Sequence, residues 1–183
     1  HTKRLVEDEL DVFAARNPQV RLVRVRPSVV LGPRCNTWAL AAMAELGRFD
    51  TRRGMRLPVI HEEDVVEVFI RALTRPVSGP LLVAHRESLT MREVAPLLGR
   101  KPMVLPASWL LRLGDAAFAR GLTRISSDWL SLTVENTHRY DPSVTEAKLD
   151  WKPRHSQLDA LRATLATSAR LSAAGVRFDS KTD

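Results

Sequence analysis

The 183-residue chain predicts an α/β fold with parallel strand pairing, followed by a more helical second half. Two observations carry that expectation. Near the start, an amphipathic helix, a short loop and a β-branched strand follow one another as in the second half of a βαβ unit. Further on, short apolar runs alternate with stretches of helical period, and beyond about residue 105 the helical signals dominate.

The elements follow in order. Leu5, Val6, Leu10, Phe13 and Ala14 recur at intervals of three and four, the spacing of one buried helical stripe, and Asn17-Pro18 ends the run. Nothing caps its start: His1 and Thr2 precede two cations, Lys3 and Arg4, which oppose the helix dipole. With no initiator Met and no signal-peptide pattern, the expectation is a chain that begins partway into a longer protein. "VRLVRVRP" reads as a strand from Val20 to Val25 ended by Pro27, which cannot donate to a ladder. "SVVLGPR" enters a Gly-Pro turn, and "WALAAMAELGR" is a helix closed by Gly47. After a loop rich in Arg and Gly, a strand is expected at Leu57–Ile60. "EEDVVEVFIRALTRP" then carries acids in its first turn, arginines in its last and Pro76 as its stop.

"PLLVAH" is a further strand. "TMREVAPLLG" opens on a capping box, Thr90 with Glu93, and closes at Gly99, with Pro96 expected to distort it. "KPMVLP" is strand-like, helices are expected around Trp109–Ala119 and Ser127–Glu135, and Ser156 with Asp159 caps a last helix. The tail after Gly175 is polar and expected to fray.

Composition narrows the function. No apolar run approaches the roughly 18 residues of a membrane helix, so no membrane partner is expected. The single cysteine, Cys35, excludes an internal disulfide framework and fits a reducing, cytoplasmic compartment; it reads as an ordinary small residue near a loop rather than a nucleophile. The net charge of +7 raises nucleic acid as a partner. However, 23 of the 28 basic residues are Arg, scattered among acids without the clustering and interleaved aromatics of a nucleic-acid face, so none is expected. His1, His85, His138 and His155 have no Cys or carboxylate at metal-ligand spacing, and no metal site is expected. Arg34, Arg52, Arg53 and Arg56 are candidates for binding a substrate phosphate or carboxylate by bidentate contacts. His61 stands at a helix start, either as an acid or base beside a substrate or as the group that positions the helix, with Asp64 as a first-turn acid.

Four stretches in order carry a family resemblance. "TK" at Thr2-Lys3 looks like the end of a Tyr-x-x-x-Lys motif. "RPSVVLGP" is similar to an "RPxxVxGP" segment, its Pro27 standing 24 positions after Lys3. "VIHEEDVVEVFIRAL" looks like "HVDDVAxAxxxAL", and "DPSVTEAKLDWKP" resembles "DTSRARxELGWxP". Together they resemble the C-terminal portion of the extended short-chain dehydrogenase/reductase family, which includes NAD(P)-dependent epimerases, dehydratases and reductases.

The resemblance implies the C-terminal half of a Rossmann-type parallel sheet, residues 1–33 and 61–85. A smaller, mostly helical substrate-binding part would take 34–60 and 86–175, and 176–183 would be a polar tail. It implies NAD or NADP as cofactor and a small-molecule substrate with a hydroxyl or carbonyl. The catalytic Tyr and the Gly-rich half would lie upstream, leaving the covered chain inactive alone, and a homodimer through the opening helix would follow family habit. Lys3 would be the catalytic and cofactor-binding lysine, and Pro27, Ser28, Val29 and Val30 would lie beside the nicotinamide. "MRLPVIHEED" departs from the Arg-x-Phe or Arg-x-Tyr usual in sugar-nucleotide members, which leaves steroid-like alcohols and ketones open beside sugar nucleotides. The rival readings are a non-catalytic nucleotide-sensing or partner-binding module on the same scaffold and, more remotely, a basic nucleic-acid adaptor.

Overall fold

The computed structural model describes residues 2–35, 38–123, 125–135 and 140–173. His1, His138 and the tail 176–183 lie outside the described residues. The chain runs α1 (Thr2–Arg16), β1 (Val23–Pro27), β2 (Val29–Leu31), α2 (Trp38–Leu46), β3 (Phe49–Thr51), β4 (Arg56–Leu57), β5 (Val59–His61) and α3 (Glu62–Thr74). It continues through β6 (Gly79–Val83), β7 (Leu89–Thr90), α4 (Met91–Leu97), β8 (Met103–Leu105), α5 (Ala107–Ala119), α6 (Ser127–Glu135), α7 (Ser143–Leu149) and α8 (Gln157–Ala173).

Three strand pairs are parallel, β1 with β6, β2 with β5 and β3 with β8, and β4 runs antiparallel to β7. The α/β class with parallel pairing stands, with one small antiparallel ladder added. The chain changes neighbours at a single residue. Ser28 N–H still donates to Val83 O on β6, while Val29 N–H already donates to Pro58 O at the start of β5.

Several expected boundaries shift, each for a local reason. β1 begins at Val23 rather than Val20, because Val20 N–H closes a turn onto Asn17 O. It also keeps Pro27. Adjacent N–H groups along a strand point to opposite edges, so the Ser28 donation to β6 turns the Pro27 nitrogen to the other edge, where no donor is lost. The strand expected at Leu57–Ile60 is two strands, split at Pro58 and paired to different partners. β3, three residues long, falls in a stretch expected to be a loop, β7, two residues long, ends on the capping Thr90, and α7 forms where no helix is expected. Pro96 shortens α4 to seven residues: the helix stops one residue later, and Gly99 at φ 63° turns the chain away.

The largest correction concerns α1. Its apolar stripe is not buried: Leu5, Val6 and Phe13 are exposed, and Leu10 and Ala14 are half-buried. β1 supplies the reason. Its alternation sends Val23 and Val25 into a core with Ile60, Val65, Val68, Leu81, Val83, Leu149 and Trp151, and turns Arg24 and Arg26 toward α1. The helix meets those arginines with Glu7 and Asp11. The stripe, lying on another face, lines an open hollow with Glu9.

A second, larger core lies between α2, α4, α6 and α8, with Leu31, Met43, Met55, Leu57, Met91 and Leu161 fully enclosed. Gln157, at the start of α8, ties this side together. Its carbonyl accepts Val59 N–H and Leu89 N–H at 3.3 Å each, and its amide donates to Glu87 O at 2.7 Å. The caps are as expected at two helices. Thr90 donates through N–H and hydroxyl to Glu93, and Ser156 Oγ accepts Asp159 N–H.

Candidate functional site

In parallel sheets of this kind ligands bind outside the carboxyl ends of the strands. Here that edge is formed by Pro27 at the end of β1, Ser28, β2 and the Gly32–Cys35 loop, the β5–α3 junction at His61, and the residues after Val83.

The contacts between α1 and β1 fix where Lys3 stands. Asp11 pairs with Arg24 at 2.7 Å, and Glu7, one helical turn earlier, pairs with both Arg24 and Arg26. Four helical residues advance about 6 Å and two strand residues about 6.6 Å. The helix therefore runs antiparallel to the strand, and Lys3 lies one further turn beyond Glu7, in the direction of the carboxyl edge. Lys3 is exposed and makes no ion pair among the described residues. Glu7 is held below the usual carboxylate range, chiefly by its hydrogen bonds to Arg26, and the same pairing pushes Arg26 up.

Pro27 is exposed at this edge, while Ser28, Val29 and Val30 are half-buried. The backbone N–H groups of Ser28 and Val29 are spent on Val83 and Pro58, so what they can offer a ligand is side chain and carbonyl. The Ser28 hydroxyl is enclosed and lacks a hydrogen-bond partner. The exposed Pro27, with half-buried Ser28, Val29 and Val30 beside it, is the surface this edge offers a flat ligand ring. The 183 residues contain no G-x-G-x-x-G run for the pyrophosphate end.

β2 and β5 register Leu31 against His61, so His61 lies beside the loop carrying Arg34. His61 is buried and is the N-cap of α3, its Nδ1 accepting Glu63 N–H at 3.1 Å. His155 stacks on it with ring centroids 4.1 Å apart and planes 22° from parallel. Buried Asp64 accepts the N–H groups of Arg154 and His155 at 2.9 and 3.2 Å, pinning that segment to the helix start. His85 sits nearby, its basicity lowered by burial against the opposing pull of Asp64 and the His155 backbone.

Folding brings ligand atoms of His61, Glu63 and His155 within 4.8 Å of one another, a set that chain spacing does not reveal. Their geometry opposes a metal. With Nδ1 accepting a backbone N–H, the neutral His61 ring carries its proton on Nε2, the only nitrogen it has left for an ion. Two nearly parallel stacked rings also cannot both direct in-plane lone pairs at one ion.

The remaining arginines are dispersed. Arg34 is exposed on the loop after β2. Arg52 and Arg53 are exposed on the turn after β3, a turn stapled by the fully buried Asp50, which accepts Thr51 and Met55 N–H at 2.8 Å each. Arg56 is exposed on β4 and helps hold Glu93 below the usual carboxylate range, after the larger effect of Thr90. Only Arg34 stands on the carboxyl edge of β2. Sequence reasoning missed Glu62, whose carboxylate reaches Arg34 N–H and the Cys35 thiol, and His155. The signal for both was slight: an extra acid at a helix start, and a histidine two residues after the Trp-x-Pro stretch.

No family model matches the chain, and no curated protein sequence matches it. Solved structures do. The UDP-glucose 4-epimerase of Stenotrophomonas maltophila, bound to NAD and formylated UDP-arabinopyranose, aligns with 94% of this chain and 55% of its own at 17% identity and a TM-score of 0.65. The UDP-glucose 4-epimerase of Thermotoga maritima, with UDP-glucose, covers 93% and 52% at 17% identity and 0.62. The human epimerase family protein SDR39U1, with NADPH, covers 80% and 49% at 24% identity and 0.56. The chain thus spans about half the length of each. At such identities the likeness is one of fold alone: the chain has the fold of about half of a Rossmann-type chain.

Proposed function

We propose that this chain is the C-terminal part of an NAD(P)-dependent oxidoreductase or epimerase of the extended short-chain dehydrogenase/reductase type, acting on a hydroxyl or carbonyl of a sugar nucleotide or a steroid-like alcohol or ketone. The observation that supports the reading is the charge ladder between α1 and β1, which runs the helix antiparallel to the strand with its Lys3 end toward the carboxyl edge. Residues 1–33 and 61–85 would complete the dinucleotide-binding domain, and 34–60 with 86–175 would hold the substrate. The groove lined by Leu22, Val23, Val25, Phe69 and Leu73 and the open α1 stripe are the surfaces a Rossmann half and a second subunit would cover. A cytoplasmic setting accords with the lone thiol.

The bound cofactor would supply hydride transfer. The chain's own contribution is electrostatic and steric. The Lys3 ammonium favours the ionised form of a phenol one helical turn away and donates to ribose hydroxyls. Pro27, with Ser28, Val29 and Val30 beside it, would form the wall that holds the nicotinamide.

The test is substitution in the complete protein. Lys3→Ala lowers the chemical step by about 10²-fold or more and weakens cofactor binding, and Lys3→Arg restores only part of it, because a planar fork does not replace a compact ammonium. Full activity of Lys3→Ala, measured by single-turnover kinetics, would discard the mechanism.

A further inference from the structure

An acid in the first turn of a helix is ordinarily solvated, answering the helix dipole from the surface. Glu62 is not: it is only 9% exposed. Its side chain turns back over Gly32, where a Cβ would lie 2.5 Å from Glu62 Cδ and 2.8 Å from Oε2, so no other residue fits there without displacing it. The carboxylate accepts Arg34 N–H at 3.1 and 3.3 Å and the Cys35 thiol at 3.2 Å. Cys35 N–H closes the turn onto Gly32 O at 3.1 Å, and the Thr164 hydroxyl of α8, shared with Ala160 O at 2.8 Å, lies 3.2 Å from that same carbonyl. β2, α3 and α8 thus converge on four residues at the ligand-binding edge. Arg34, exposed on that loop, makes no ion pair among the described residues.

We infer that Glu62 is a positioning residue: it fixes the Gly32–Cys35 loop on the carboxyl edge and thereby sets the direction in which Arg34 meets a phosphate- or carboxylate-bearing ligand. The inference rests on the reading of that edge as the ligand site. The clasp does not titrate open near neutrality, since burial, followed by the hydrogen bond and charge of Glu62, pushes the Cys35 thiol up to about 12 and keeps it a donor.

Cys35 is the chain's one cysteine, so its reaction with a disulfide reagent reports the clasp without cofactor or substrate. At pH 8 the folded chain should react at least ~100-fold more slowly than the urea-unfolded chain. Glu62→Gln should react at least ~10-fold faster than the wild type, with its pH profile moving down toward that of a free thiol near ~8.5. Gly32→Ala, which leaves Glu62 in place but crowds it off the loop, should do the same, and Glu63→Gln should change nothing. Inorganic pyrophosphate, as a probe of the anionic ligand class, should shift the Arg34 amide resonance in the wild type and shift it at least ~3-fold less in Glu62→Gln. Equal thiol rates in wild type and Glu62→Gln overturn the clasp. A pyrophosphate response absent from the wild type, or equal in both, overturns its role toward Arg34. If Glu62→Gln does not fold, the same readings on Glu62→Asp, one methylene short of the loop, decide the matter. A failure of the Lys3 mechanism would leave all these readings unmoved, so the two ideas fall separately.

Discussion

β1 is flanked by two helices that hold it in opposite ways. α3 meets Val23 and Val25 with Val65, Val68 and Ala72, an apolar contact continuous with Ile60, Leu81 and Trp151. α1 meets Arg24 and Arg26 with Glu7 and Asp11 and buries none of its side chains from Lys3 to Arg16. Apolar burial is not weakened by screening or by protonation, while ion pairs at a surface are sensitive to both. The element that carries the candidate catalytic lysine is therefore the one whose attachment depends on solution conditions.

That contrast can be broken from either side. The greatest effect belongs to the apolar flank: Leu81→Ala, at a fully enclosed position, should cost about 2–5 kcal/mol in urea unfolding. Next comes ionic strength. Raising salt from about 0.05 to 1 M shortens the screening length from over 10 Å to about 3 Å, and amide exchange along α1 should quicken about tenfold while the amides of α3 keep their protection. A loss of protection shared equally by both helices would mean that α1 is not held by its charges.

Acid should act in the same place. Glu7 has a folded pKa below its unfolded value of 4.5, so its contribution is complete above about 4.5 and disappears as pH falls through the lower, folded value. Exchange from α1 should rise across that window, and Glu7→Gln should show a raised rate at neutral pH and a smaller acid step, since the Asp11–Arg24 pair remains. The smallest effect is expected at Leu73, 79% exposed on the outer face of α3. Leu73→Gln should change the unfolding free energy by no more than about 0.5 kcal/mol, and a larger loss would reveal packing on that face.

What could be read in advance follows the range of the interaction responsible. The acids and arginines of α3, the Thr90–Glu93 box and the Ser156–Asp159 cap lie within one or two turns of what they stabilise, and each stands where the pattern put it. α1 is legible as a helix for the same reason. The exposure of its stripe is not, because the deciding fact, arginine on the facing side of β1, belongs to another element. Glu62 and His155 were beyond reach for a similar reason. Glu62 finds its partners 27 and 28 residues away and His155 stacks on a ring from the far side of the chain, and no local period encodes either meeting. Short strands such as β4, β5 and β7 owe their existence to a neighbour's edge rather than to their own two or three residues.

The match of step between α1 and β1 sets which changes of chain length this molecule can absorb. Residues 17–20 form the turn between the two, so a residue gained or lost there leaves both sets of charges opposite one another. A residue inserted between Lys3 and Glu7 would turn the lysine about 100° around the helix axis and move it 1.5 Å along, off its present face, while every ion pair survived. Relatives using this lysine should therefore vary freely in the length of the connection and not at all in the count from lysine to glutamate.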